Sequence, residues 1–271
     1  MHDMTVCSVK DAAAKRCWGY HILTVLAVLG MKLYYSRADS SVLRWILAPT
    51  AWWVRLLSGA AFVYEPGVGY VNHAIRFIIA PSCSGVQFLM IVFAVLAVSS
   101  VHRMRTPLGR ILWMAGSAAA SVLLTVFVNG FRIALSIWVP ELVFRPEVGL
   151  SKGGVSGWLT PERLHTITGV AVYFTALLVI FGIADRAASH MTEGCPKEGA
   201  EGMTGGVRRH CGWTLPVLMY FLVVLALPLF HGAFAKNPGQ FAEFAALVAA
   251  VCTVILCLVR GIAAVWNGRR V

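Results

Sequence analysis

Charge is what this sequence has least of. Only 13% of its 271 residues are Asp, Glu, Lys or Arg, about half the share usual in a water-soluble domain, which excludes an ordinary globular surface. Acidic side chains are scarcer still, since 12 Asp and Glu against 23 Lys and Arg leave a formal charge of +11. A nucleic-acid partner would require those basic residues on one polar face. They fall instead in short groups between apolar stretches, so they read as topology signals and contacts to membrane lipids, with no nucleic acid expected. The seven cysteines lack the paired short spacings of a disulfide framework, a redox module or a zinc module. Gly-x-Ser-x-Gly is absent, as are internal repeats. No small-residue cleavage site follows the first apolar stretch at 36–40, so that stretch and the preceding Lys10, Lys15 and Arg16 are expected to form a retained signal anchor.

What is there is apolar sequence, 58% of the chain. It recurs in stretches near the roughly 20 residues that cross a hydrocarbon core as a helix. The fold expected is an all-α polytopic transmembrane bundle of six spans, at 18–35, 86–102, 111–128, 165–184, 213–230 and 241–258. Its parts would be a membrane core at 1–190, a cytoplasmic linker at 191–212 and a terminal helical pair at 213–271. With both termini cytoplasmic, the inner-side segments carry roughly twice the Lys and Arg density of the outer ones, the bias that the positive-inside rule demands. The location this implies is the inner, cytoplasmic membrane.

The segment 41–58 is apolar and rich in Trp but holds Arg44, Pro49 and Arg55. Each central Arg would cost about 2.5–3.5 kcal/mol on insertion, so an interfacial helix is expected, with Trp45, Trp52 and Trp53 at headgroup level. Two extended runs, 62–64 and 70–79, flank Glu65-Pro66-Gly67 and predict a small extracytoplasmic hairpin. The Gly-rich loop 140–160 is long enough for a flap. It ends in Thr160-Pro161-Glu162, a helix-start signal of N-cap, first-position Pro and first-turn acid.

On this topology three chemically capable residues reach one membrane face. Cys83 precedes the second span in Pro81-Ser82-Cys83-Ser84-Gly85; Arg132 follows the third in Asn129-Gly130-Phe131-Arg132-Ile133; His165 opens the fourth. Consecutive antiparallel spans pack as neighbours, which brings these ends within reach. A thiol attacks only as thiolate, and a cation or a helix N-terminus favours that form. His165 would assist Cys83 and protonate the leaving amine, Arg132 would stabilise the oxyanion, and Asn129 is a supporting donor on the same helical face. Taken singly, each has a plainer reading: a buried small thiol, a snorkelling arginine, a hydrated helix-end histidine. Their shared face is what favours chemistry. Ser82 and Ser84 are expected to shape the turn by hydrogen bonds to its backbone, and Arg145, Arg163, His73 and His102 to be interfacial or solvated. His190, Cys195, His210 and Cys211 fit no zinc template. No metal or cofactor is expected.

These motifs, in this order and at these helix ends, resemble the exosortase and archaeosortase family, and within it the exosortase K subgroup, over roughly 42–184. The resemblance implies a membrane cysteine protease or transpeptidase with Cys83 as nucleophile, Arg132 as the transition-state or orienting cation and His165 as acid/base. It implies as substrates secreted proteins with a C-terminal sorting signal of short motif, transmembrane helix and basic cluster, the acyl group passing to water or an acceptor amine. The terminal pair aligns with none of these motifs; a substrate helix could pack on its small residues Ala245, Ala246, Ala249 and Ala250. Two other classes compete. A non-catalytic scaffold or transporter of envelope-polymer assembly would need intramembrane charge or paired broken helices, which no span offers. A thiol oxidoreductase would need a resolving cysteine on the same face.

Overall fold

The protein is described by a computed structural model over residues 2–104, 106–143, 160–190, 214–230 and 233–268. In chain order the helices are α1 (His2–Arg37), α2 (Arg44–Ser58), α3 (Val86–Ser100), α4 (Pro107–Val143), α5 (Pro161–His190), α6 (Thr214–Ala226), α7 (Leu227–Phe230), α8 (Ala233–Lys236) and α9 (Pro238–Gly268). Strands β1 (Val63–Glu65), β2 (Gly69–Asn72) and β3 (Phe77–Ile79) lie between α2 and α3. Four helical segments among the described residues are long and apolar enough to cross a membrane: Pro81–Arg103, Pro107–Val143, Pro161–Ser189 and Pro238–Ile262. The chain is therefore a helical membrane protein. Of the other two expected spans, 18–35 lies within α1 and is not in this set. The apolar part of 213–230 is the short helix Thr214–Ala226, whose last turn is a π-turn at Leu222–Ala226 just before Pro228.

The residues divide into two compact units, and α4 and α5 run through both. The first unit comprises Met1–Asp39, Gly85–Thr125 and Leu177–Tyr220. Its centre is α3, apolar all round and buried over nearly its whole length, as a helix enclosed by other helices requires. Helix α1 packs on α3. The Trp113 indole N–H of α4 donates to the Leu96 carbonyl at 2.9 Å. Near the far end of α3, Arg103 pairs with the Asp185 carboxylate and also donates to its carbonyl.

The second unit comprises Ser40–Ser84, Val126–Ala176 and Phe221–Val271. Helix α2 buries Ile46, Leu47, Thr50, Ala51 and Val54, a stripe at helical spacing, and leaves Trp45 and Trp52 exposed. Pro49 is accommodated inside it, and Gly59 ends it in the left-handed conformation at φ 71°, its N–H returning to Arg55 O. Beyond lies a three-stranded antiparallel sheet in the order β1-β2-β3, with Tyr64 opposite Tyr70 and Tyr70 opposite Ile79. The expected second run, 70–79, is thus two strands. Asn72 Oδ1 accepts the N–H groups of Ala74 (2.9 Å) and Ile75 (3.1 Å), a side-chain turn that folds the run back on itself. The stretch 144–159, which holds Arg145 and most of the expected flap, and the linker 191–212 with Cys195, His210 and Cys211 lie outside the described residues.

Candidate functional site: a guanidinium cradled on a helix face

Cys83 closes a 3₁₀ turn over Pro81–Cys83. Main-chain bonds hold it: Cys83 N–H donates to Ala80 O at 2.8 Å and Ser84 N–H to Pro81 O at 3.1 Å. The hydroxyls expected to shape this turn do not. Ser84 Oγ is buried without a hydrogen-bond partner among the described residues, and Ser82 is exposed, so the fixed φ of Pro81 and the backbone ladder set the geometry. Cys83 is a free, half-buried thiol.

Arg132 and Asn129 were expected just past the end of a span, but α4 continues to Val143 and holds both in its interior. Asn129-Gly130 does not end the helix because its missing side chain is used. A Cβ on Gly130 would stand 2.4 Å from Trp53 Cδ1. The indole of α2 therefore lies against the α4 backbone, where its N–H donates to Phe127 O at 3.1 Å and its ring meets Phe127 edge-on at 5.1 Å. Within the uninterrupted helix Asn129, Arg132 and Ser136 share one face, and Ser136 Oγ donates to Arg132 O at 3.0 Å.

His165 lies on α5, which begins at Pro161 where the sequence places it. Thr160 Oγ1 accepts Arg163 N–H at 3.3 Å, as an N-cap does. Arg132 Nη2 donates to His165 Nε2 at 2.8 Å. A guanidinium has no acceptor, so Nε2 supplies the lone pair, and the imidazole is neutral with its proton on Nδ1. Two further α5 residues at four-residue spacing complete the stripe below His165. A Cβ on Gly169 would stand 2.9 Å from Arg132 Nε, so only glycine lets the guanidinium lie this close to the helix. The Tyr173 ring receives the guanidinium carbon at 5.3 Å from its centroid. An acceptor, a gap and a π-face together form a cradle for one cation.

Asn129, fully buried, joins this cradle to the cysteine. Its Nδ2 donates to Cys83 O at 2.7 Å and its Oδ1 accepts the Tyr173 hydroxyl at 2.6 Å. All three residues singled out for chemistry thus belong to one compact unit. Arg132 and His165 touch directly, whereas Cys83 is tied in through its carbonyl rather than its sulfur. Among the described residues no carboxylate pairs with Arg132, and its Nε is buried without a partner. A buried donor left unpaired costs about 1–3 kcal/mol, so an acceptor arriving there gains more than it would at a satisfied group.

Two side chains expected to be interfacial or solvated have partners. Arg163 pairs with Glu243 of α9, and exposed His73 meets Glu65 at 2.7 Å. Thr160, Thr166, Arg163, Gln240, Glu243 and Phe244 are among the residues lining a cleft of about 320 Å³ on the turn that carries His165, so α9 supplies one of its walls. Sequence reasoning missed Gly169 and Tyr173. Their signal was the spacing His165-x3-Gly169-x3-Tyr173 on an otherwise apolar helix; Trp53 and Gly130 left none.

Spanning helices with a polar cluster built on two of them and the turn before a third define the class, a polytopic helical membrane protein with a half-buried polar cluster. Comparison with protein-family models, curated proteins and solved structures finds no match.

Proposed function

We propose that the chain is an integral-membrane cysteine protease or transpeptidase, similar to the exosortases, that cleaves C-terminal sorting signals of secreted proteins. The observation that carries the proposal is the Arg132–His165 pair linked through Tyr173 and Asn129 to Cys83 within one compact unit. A fold with no use for them has no evident reason to gather a thiol turn, an imidazole and a guanidinium that pairs with no carboxylate among the described residues.

In the proposed reaction Arg132, whose Nε has no partner among the described residues, turns a donor to the oxygen of the incoming peptide carbonyl and so releases His165 Nε2. His165 Nε2 takes the Cys83 thiol proton as the sulfur attacks the carbonyl carbon, and the carbonyl electrons move onto the oxygen that Arg132 meets. His165 then delivers that proton to the leaving amine as the C–N bond breaks. The thioester on Cys83 is resolved by water or by an acceptor amine, regenerating the thiol. The cleft beside His165 suits an extended peptide segment, and the substrate's transmembrane tail packs on the exposed small residues Ala246, Ala249 and Ala250 of α9. Six spans, cytoplasmic termini, placement in the inner membrane and an extracytoplasmic site complete the proposal. They rest on the distribution of Lys and Arg in the sequence.

Co-expression with a tailed substrate tests it. Cys83→Ala and Cys83→Ser are expected to leave a folded membrane protein that no longer processes the substrate, and retained processing in both rejects the reading. The mass of the substrate's new C-terminus separates hydrolysis from transfer. A scaffold or transporter would process nothing in any variant.

A further inference from the structure

We propose that Tyr173 is a positioning residue that couples the cysteine arm of the site to its arginine arm, acting on Cys83 through Asn129. The inference deepens the proposed thiol chemistry and rests on it. The atoms dictate the direction of coupling. The Cys83 carbonyl can only accept, so the Asn129 atom 2.7 Å from it is the amide nitrogen. The other terminal atom of Asn129 is therefore its oxygen, and the Tyr173 hydroxyl 2.6 Å away donates to it. The carbonyl alone selects this orientation of the Asn129 amide, since the other would set an oxygen against it, and the Tyr173 hydroxyl anchors the amide so selected from its opposite end. The hydroxyl thus limits the movement of the amide, the amide limits that of the carbonyl, and the carbonyl belongs to the residue whose sulfur has no hydrogen-bonded tie to Arg132 or His165 among the described residues. The same tyrosine presents its ring to Arg132. One side chain thereby sets the turn that carries the thiol and the side chain that would meet the oxyanion.

This arrangement differs from ordinary packing in what happens when the hydroxyl alone is removed. Tyr173→Phe keeps the ring, the volume and the face toward Arg132, and deletes only the donor. Asn129 would then hold Cys83 in a less defined position, while the apolar contacts of α5 stay as they are.

The test uses the full-length chain in membrane vesicles and needs no substrate. The rate of Cys83 alkylation by iodoacetamide is followed by mass spectrometry of the peptide that carries it, for the wild type, Tyr173→Phe, Asn129→Ser and the double variant. The Tyr173→Phe and Asn129→Ser variants are each expected to change the rate by about three- to tenfold, the scale of one orienting hydrogen bond. The double variant is expected to match Asn129→Ser alone, because the hydroxyl reaches the Cys83 carbonyl only by way of the Asn129 amide. Tyr173→Phe should also lower the melting temperature by no more than a few degrees, the effect of one buried acceptor losing its donor, and, with a processed substrate, lower kcat with KM unchanged. A wild-type alkylation rate in Tyr173→Phe overturns the proposal, and so do single effects that multiply in the double variant. If the coupling is found but Cys83→Ala still processes substrate, the protease reading fails and the positioning role stands.

Discussion

At Arg132 a neutral imidazole occupies the place that a carboxylate usually takes beside a guanidinium. The charge is held by a lone pair, a π-face and a missing methyl group, none of which neutralises it. Gly169→Ala tests the last of these. The new Cβ would meet Arg132 Nε at 2.9 Å, and the flexible end of the arginine would yield before the helix does. Substrate processing is expected to fall about a hundredfold, as when a reacting group is misplaced by an ångström, while thermal unfolding moves by no more than about 1 kcal/mol, since alanine is the better helix former. Unchanged processing would show that the close approach is unused. Cys83, Arg132, His165 and Asn129 could be picked out in the sequence because each has a side chain that does chemistry. Gly169 could not, since its contribution is an absence, and Tyr173 could not, since an aromatic on an apolar helix ordinarily signals packing.

Among the elements, α5 was legible and α4 was not, for the same underlying reason. Thr160-Pro161-Glu162 is a local signal read out locally, by a side-chain cap within the same turn. Asn129-Gly130 carries an equally strong local signal for a helix end, yet the helix runs on, because Trp53, distant in sequence, fills the groove that the glycine leaves. Tertiary packing overrode propensity, and no pattern near Gly130 records the partner. Gly130→Ala is accordingly expected to destabilise the protein by about 1–3 kcal/mol through overpacking. Trp53→Ala in the same chain should remove the clash, making the double variant more stable than the sum of the two single losses implies. Thermal unfolding in detergent measures both, and simple additivity would mean that the indole and the glycine do not meet. The sheet repeats the lesson at smaller scale. Its first turn follows from Pro66-Gly67, whereas its second depends on an Asn72 side chain bonding to its own backbone, a role that a run of alternating residues conceals.

For the molecule as a whole, composition made the membrane legible and length made four of the spans so, while the first expected span is not in that set and the fifth is the short helix Thr214–Ala226, whose π-turn a count of apolar residues passes over. Helix α4 has 37 residues and a contour of about 55 Å at 1.5 Å per residue, against a hydrocarbon layer of about 30 Å. Arg132 stands twenty-five positions after Pro107, about 38 Å along that contour. A helix that enters lipid near its first turn therefore carries the arginine out through the opposite boundary, into reach of water. Bilayer thickness then acts as a tide gauge for the chemistry. In reconstituted vesicles, processing is expected to hold in short- and medium-chain phosphatidylcholines and to decline in long-chain ones, where hydrocarbon rises over the guanidinium and an aqueous peptide can no longer follow it.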